Sequence, residues 1–368
     1  MKITHPFYGI LWIFLILLQS CSSDNEGIPE EEAEEVSPVV MDLDAVPYPK
    51  LSDYHFFKLP LSDLEPVYGV LPYEPISSLF SDYAKKKRFV WMPENVSASF
   101  DGDAKTLNFP NGTALIKNFY YEKVQPGNLT QILETRLMIK IAGEWIFANY
   151  VWNEDQTEAF YNMDGGFVPV IWSENGQTKE VNYRIPHGAE CVTCHNSSEI
   201  PLPIGTKPQH LNKNYTYDGE TKNQLAKWKE FGYLTDFPNQ INTLVDYHDE
   251  NQDLELRVRS YLDINCAHCH SDNGFCNYRY MRFGFERTHE HDKMGICITP
   301  DEDITHWPEV GEPTHIIYPG DHEKSVIYYR LNTVEESYRM PLRGRTLIHD
   351  EAVEMISEWI DSQVENCE

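Results

Sequence analysis

Two pentapeptides constrain this chain more than any other feature: CVTCH at 191–195 and CAHCH at 266–270. A Cys-x-x-Cys-His run sets two sulfurs and one imidazole within a single turn. Such a run serves as a covalent haem attachment site, half of a zinc site, a redox dithiol or a local disulfide. Structural zinc needs no histidine directly after each second cysteine, and 71 residues between Cys194 and Cys266 is a long gap for one site. A thioredoxin-like dithiol opens a helix in a βαβ unit, and no such pattern surrounds either run. A bridge within Cys-x-x-Cys is strained. Covalent haem is the expectation that uses every residue: Cys191, Cys194, Cys266 and Cys269 hold two haems c by thioether bonds, and His195 and His270 ligate the irons.

The N-terminus reads as an export signal, which suits haem c because that group is attached after export. One lysine precedes an apolar stretch from about Ile10 to Leu18, too short to span a bilayer comfortably. LLQSC (17–21) resembles a bacterial lipobox, which implies a signal peptide over 1–20, cleavage before Cys21 and acylation of Cys21. Two or three acyl chains give stable anchoring. Residues 22–38 hold seven acids and no base, the composition of a disordered, self-repelling tether, assigned to 21–40. The expected location is the cell envelope, lipid-anchored at the outer membrane and facing periplasm or cell surface. A formal net charge of −28 argues against nucleic acid and favours a redox partner with a basic docking surface.

The segment 41–186 predicts a β-rich domain. TALIKNFYYE, TRLMIKIAGEWIFANYVWN and GFVPVIWSENGQTKEVNYRIP are rich in β-branched and aromatic residues, and Gly-containing turns separate them as hairpins. Six to nine strands in a sandwich-like arrangement are expected, with the aromatics, Trp145, Trp152 and Trp172 among them, in the core. After Pro186 the pattern becomes helical, with candidate helices at 222–234, about 252–264 and 350–364. The fold class is therefore α+β: a β-sandwich-like domain, a first haem segment over 187–249, and a mainly α second haem domain over 250–368 with an insertion at 271–320.

The second motif has the richer context. A helix leading into the motif and an amphipathic helix ending the chain resemble a class I cytochrome c domain. That resemblance implies crossed helices beside the haem and a distal methionine on the loop before the last helix. Met340, followed by Pro341 and 70 residues after His270, matches it. His268 is expected to be exposed. Cys276 and Cys297 are a candidate disulfide in an oxidising compartment, with Cys367 a third partner or free. The first motif follows a strand rather than a helix, and no methionine occurs between His195 and Met281. Its distal candidates are His210 and His248, or Met163 arriving from elsewhere in the fold.

The order of YRIPHGAECVTCHN, LPIGTKPQHLN, YLDINCAHCHSDNG, IIYPGDHEKSVIYYRLN and RMPLRGRTLIHDEAVEMISEWI, after a β-rich half containing LFSDYAKKKRFVWMP, resembles a family of exported bacterial dihaem c-type cytochromes. The resemblance covers most of 65–362. It implies two covalent haems and electron transfer, with Cys191, Cys194, His195, Cys266, Cys269, His270 and Met340 carried over. Unequal axial ligation would make the first haem the lower-potential member of a directional pair. The alternatives are a dihaem peroxidase or small-molecule oxidoreductase with an open first haem, and a binding protein whose β-domain grips a carbohydrate or partner.

Overall fold

Strand β3 (Ala114–Val124) is the spine of the protein. It alternates apolar residues on one face with Leu115, Lys117 and Phe119 on the other, and it is paired on both sides. The computed structural model describes residues 35–304, 306, 307, 311–364 and 367. The expected signal peptide, Cys21 and the tether up to residue 34 lie outside the described residues. No helix among the described residues is long and apolar enough to cross a membrane.

Six strands run as an antiparallel meander: β1 (Leu71–Tyr73), β2 (Lys85–Trp91), β3, β4 (Leu129–Ile141), β5 (Glu144–Trp152) and β6 (Ala159–Tyr161). The hairpin of β7 (Gly166–Glu174) and β8 (Gln177–Ile185) joins the same sheet where Val124 opposes Trp172. The β7–β8 turn places Asn175 at φ 50° and Gly176 at φ 78°, the left-handed pair that a two-residue hairpin turn requires. The architecture is thus one connected eight-stranded sheet rather than two facing sheets. The sandwich-like character comes from the β7–β8 hairpin folding back over β3. Its Tyr183 and Trp172 rings pack against Phe119 and Tyr121, with Tyr121 and Trp172 4.8 Å apart.

Each face of the sheet is covered differently. On one face Phe89, Ile116, Leu137 and Tyr150 bury against the N-terminal wrap, including Leu51, Tyr54 and Phe56. The wrap reaches into the segment expected to be tether: Val40 N donates to Tyr54 O at 3.0 Å, and the Trp91 indole donates to Ser37 Oγ at 3.1 Å. Free chain to residue 40 is therefore corrected, because these buried partners fix residues 37–40. On the other face Leu71, Val90, Leu115 and Met138 pack with Leu225 and Trp228. Trp145, Trp152 and Trp172 are buried in these cores and offer no aromatic surface to a carbohydrate.

Beyond Pro186 the chain is largely irregular, with seven helices among the described residues: α1 (Cys191–Cys194), α2 (Pro208–Leu211), α3 (Gln224–Glu230), α4 (Leu254–Asn265), α5 (His291–Met294), α6 (Val326–Leu331) and α7 (Asp350–Ser362). Helix α3 starts later than the periodicity predicts because β9 (Asn214–Tyr217) and β10 (Glu220–Asn223) form a hairpin up to Asn223, whose side chain then caps Leu225 N and Ala226 N. Only α4 and α7 are long. They share a core of Val258, Tyr261, Leu262, Met355, Ile356 and Trp359. The expected mainly α character is thus concentrated in this pair; loops within 266–304 and 337–343, with α6, instead line a cavity. The described residues from Val36 onward form one compact unit.

The expected Cys276–Cys297 bridge is replaced. Cys297 pairs with Cys367, at a Cα separation of 5.1 Å, and ties the insertion to the chain end. Cys276 is a buried free thiol whose backbone N donates to Cys269 O at 3.0 Å, which holds it beside the second motif and away from Cys297.

Candidate functional site

Both motifs adopt the same turn. The His195 backbone N donates to Cys191 O at 2.9 Å, and the His270 backbone N donates to Cys266 O at 2.9 Å. Each turn has a different lead-in. Strand β8 ends at Ile185, Pro186 stops it, and the Glu190 carboxylate accepts from His187 N at 3.0 Å and from Arg184 at 2.8 Å. Arg343, from the loop after Met340, reaches the same carboxylate at 3.0 Å. The second motif follows α4, whose N-cap Asp253 accepts from Leu256 N at 3.1 Å.

The two histidines are held in different ways. His195 Nδ1 bonds to Leu202 O at 2.9 Å, which fixes the ring and leaves Nε2 free to coordinate, the usual second contact of a metal-bound imidazole. Phe147 packs 5.4 Å from that ring. His270 sits 5.1 Å from Phe283, and its Nδ1 is buried without a hydrogen-bond partner among the described residues. Burial pushes both imidazoles down to about 4, so both are neutral at physiological pH. A neutral imidazole is the ligating form.

Each motif opens into its own cavity. The first, with about 1480 Å³ free of atoms including its open mouth, lies between the sheet and the loops, and His195, Cys191, Lys117, Arg136 and Met163 line it. The second, about 1420 Å³ by the same measure, is lined by Cys266, Cys269, His270, Met281 and Met340. Cys194, Asn265, His268, Pro341 and Arg343 line both cavities and form the wall between them. The motifs themselves touch there: Cys269 Sγ lies 3.6 Å from Thr193 O, and the donor atoms of Cys194, His268 and Cys269 lie within 4.8 Å of one another. The hydrogen bond between the two thiols holds Cys194 well below the usual thiol range and Cys269 far above it. His268 is half-buried with an unpartnered Nδ1, not exposed as expected, because the facing motif covers it.

The four expected distal residues fall in different places. Met340 faces the cavity of His270. Met163 lines the cavity of His195; its sulfur accepts from Asn149 N at 3.3 Å and its methyl lies against Gly188. Neither His210 nor His248 lines that cavity. His248 is exposed and its ring lies tilted against Tyr247, 4.1 Å away. His210 Nε2 is bonded to Asp263 Oδ1 at 2.6 Å. Asp263 is the hub of a buried clasp. It also accepts from Lys207 at 2.9 and 3.0 Å, from Gln209 at 3.3 Å and from Phe285 N at 2.9 Å. Burial pushes its carboxyl up, but Lys207 and His210 outweigh that and hold it well below the usual range. The clasp joins the segment after the first motif to α4, which leads into the second.

Sequence reasoning missed the sheet's contribution. Tyr73, Arg88, Lys117, Arg136 and Asn149 are directly opposite one another on five successive strands, so they form one lateral row, and all of them but Arg88 line the first cavity. Cations at alternating strand positions (Lys86, Arg88) are a visible signal, but strand register is needed to place them in one row. No protein-family model, curated protein or solved structure matches the chain.

Proposed function

We propose that the protein is a dihaem c-type cytochrome, lipid-anchored in the cell envelope, that relays single electrons to or from a redox partner with a basic docking surface. The observation that carries this reading is the pair of Cys-x-x-Cys-His turns closed by the same backbone hydrogen bond, each opening into a cavity, with one wall common to both. The residues fit the group. Cys191 and Cys194, and Cys266 and Cys269, would hold the two haems covalently, with His195 and His270 as proximal ligands and Met340 as the distal ligand of the second. When bound, the haems supply one-electron redox chemistry. The chain's own residues orient and enclose. Leu202 O fixes the His195 ring, Phe147 and Phe283 pack against the imidazoles, and the clasp on Asp263 holds the two motifs in contact. Met340 would give the second haem a thioether, whereas the Met163 sulfur at the first cavity is held by Asn149 N, so the pair would be unequal, with the first haem at lower potential.

The meeting of Cys194, His268 and Cys269 favours a second reading, a three-ligand site for a soft metal such as zinc. That reading leaves both cavities, His195 and His270 without a role. Haem counting by pyridine haemochrome and intact mass, with zinc measured in parallel, separates the two. Two haems in the wild type and one in Cys194→Ala are expected. Zinc with no haem would overturn the proposal. Cyanide or carbon monoxide binding at one haem would favour the oxidoreductase alternative.

A further inference from the structure

The loop that carries Met340 has no regular backbone to fix it. Residues 332–349 form neither helix nor strand between α6 and α7. Side chains must therefore satisfy its backbone groups and set its place. One of them lies within the loop. Arg345, 4% exposed, donates to the carbonyls of Met340, Leu347, Arg330 and Leu331, which folds the loop onto the end of α6.

The other comes from the β-domain. Asp82, between β1 and β2, is 2% exposed. Its Oδ1 accepts from Thr346 N at 2.6 Å and from Leu347 N at 2.8 Å, and its Oδ2 accepts from the Thr346 hydroxyl at 3.0 Å. Asp82 borders the first cavity, yet every hydrogen bond its carboxylate accepts among the described residues comes from the Met340 loop. Its neighbours hold the rest of the second site. Phe80 N donates at 2.8 Å to Oδ1 of Asn265, the residue before Cys266. The Phe80 ring stacks on His349 with centroids 4.0 Å apart. The Tyr83 hydroxyl donates to Glu351 at 2.9 Å and accepts from Asp350 N at 3.2 Å, at the start of α7. Segment 80–83 thus grips the lead-in to the second motif at one end and the Met340 loop with α7 at the other.

The backbone here is strained. Asp82 and Tyr83 are both left-handed, at φ 51° and 62°. A bulky residue in that region is an outlier, and such backbone persists where its surroundings over-determine it. The buried Tyr121 hydroxyl donates to Asp82 O and helps hold this turn.

We propose that Asp82 is a positioning residue for the second site: segment 80–83 is a caliper that sets the span between the second motif and Met340 and keeps the methionine loop closed over its cavity. The β-domain thereby takes part in the redox site. That the loop presents a thioether to iron rests on the dihaem reading, whereas the hold on the loop rests on the contacts alone.

The geometry separates this hold from simple charge. Both backbone bonds go to one oxygen, so Asp82→Asn keeps them with its amide oxygen, can donate to the Thr346 hydroxyl, and tolerates left-handed backbone. Asp82→Gly removes all three bonds without straining φ. The test uses the full chain matured with haem, as wild type, Asp82→Gly, Asp82→Asn and Thr346→Val, matched first for haem count. Each ferric protein is titrated with imidazole while the far-red sulfur-to-iron band is followed. Imidazole enters only where Met340 leaves, so its apparent affinity scales with the open fraction of the loop. Asp82→Gly should show no band, or lose it at an imidazole concentration at least about tenfold below wild type; Thr346→Val should shift at least about threefold and Asp82→Asn less than about twofold. A wild-type titration in folded Asp82→Gly, or Asp82→Asn shifting as far as Asp82→Gly, would overturn the proposal. If Asp82→Gly yields no folded protein, Thr346→Val decides in its place, and an unshifted titration overturns the proposal. If the wild type has no haem or no far-red band, the Met340 reading fails, and amide hydrogen exchange at Thr346 and Leu347 decides the hold by itself. Faster exchange in Asp82→Gly or Thr346→Val, with protection kept in Asp82→Asn, supports it; equal exchange in all of them overturns it.

Discussion

Replacing Asp263 by Asn should cost the fold about 3–4 kcal/mol, because the Asp263 clasp concentrates charge in a place where water cannot compensate. The Asp263 side chain is 1% exposed and that of Lys207 22%. The carboxylate accepts from four residues, with Lys207 reaching both oxygens. Hydrogen bonds to charged groups contribute about 1.5–3 kcal/mol each, and removing one partner of a buried ion pair costs about 3–5 kcal/mol. Asn keeps one acceptor oxygen, and His210 can turn its Nε2 to accept from the new amide, so the lower half of that range applies. Urea denaturation followed by tryptophan fluorescence measures it. With an m-value of roughly 3 kcal/mol/M, the midpoint falls by about 1 M. The effect has a pH signature. The folded carboxyl titrates below its ordinary value of 3.8, so its stabilisation is fully present above that value and is lost as pH falls from there toward the folded value. The gap between wild type and variant should be constant from pH 7 to about 5 and narrow by pH 3. A gap under about 1 kcal/mol at pH 7, or one unchanged at pH 3, would refute the clasp as an ionic hub.

Met340→Ala should keep both covalent haems by mass but abolish the far-red sulfur-to-iron absorption band and lower one midpoint potential, as read by spectroelectrochemistry; a retained band would move distal ligation to Met281, which lines the same cavity. Cys297→Ser opens a bridge spanning 70 residues and should destabilise the fold by about 4 kcal/mol without changing the haem count, measured by thermal or urea unfolding under non-reducing conditions. An unchanged midpoint would show that the insertion is held by packing alone.

The sequence made each local event legible. Two pentapeptides with the same spacing specify two turns closed by the same backbone hydrogen bond, because the donor pattern lies within five residues and needs no distant contact. The hairpin at Asn175-Gly176 was readable for the same reason: the residues that tolerate left-handed backbone are written at the turn itself. The helices α4 and α7 followed from periodicity, and α7 also from the acids at its start. Helix α3 was placed too early because pattern alone cannot see that β10 claims its first residues.

What only the tertiary structure decided is which distant groups meet. His210 looked like a free ligand in sequence and is bound to Asp263, 53 residues away. Cys297 had a nearer cysteine at 276 and pairs with Cys367 instead, because Cys276 is held against Cys269. Arg88, Lys117 and Arg136 carry no local mark of belonging together. A one-residue slip in register would send each to the opposite face, so hydrogen-bonded pairing, set by hydrophobic burial on both faces of the sheet, alone brings them into one row. The motifs are likewise 71 residues apart in sequence, and their contact through Cys194 and Cys269 comes from the fold of the chain between them, pinned by the Asp263 clasp. Local chemistry was written in the chain; the common wall between the two cavities came from long-range packing.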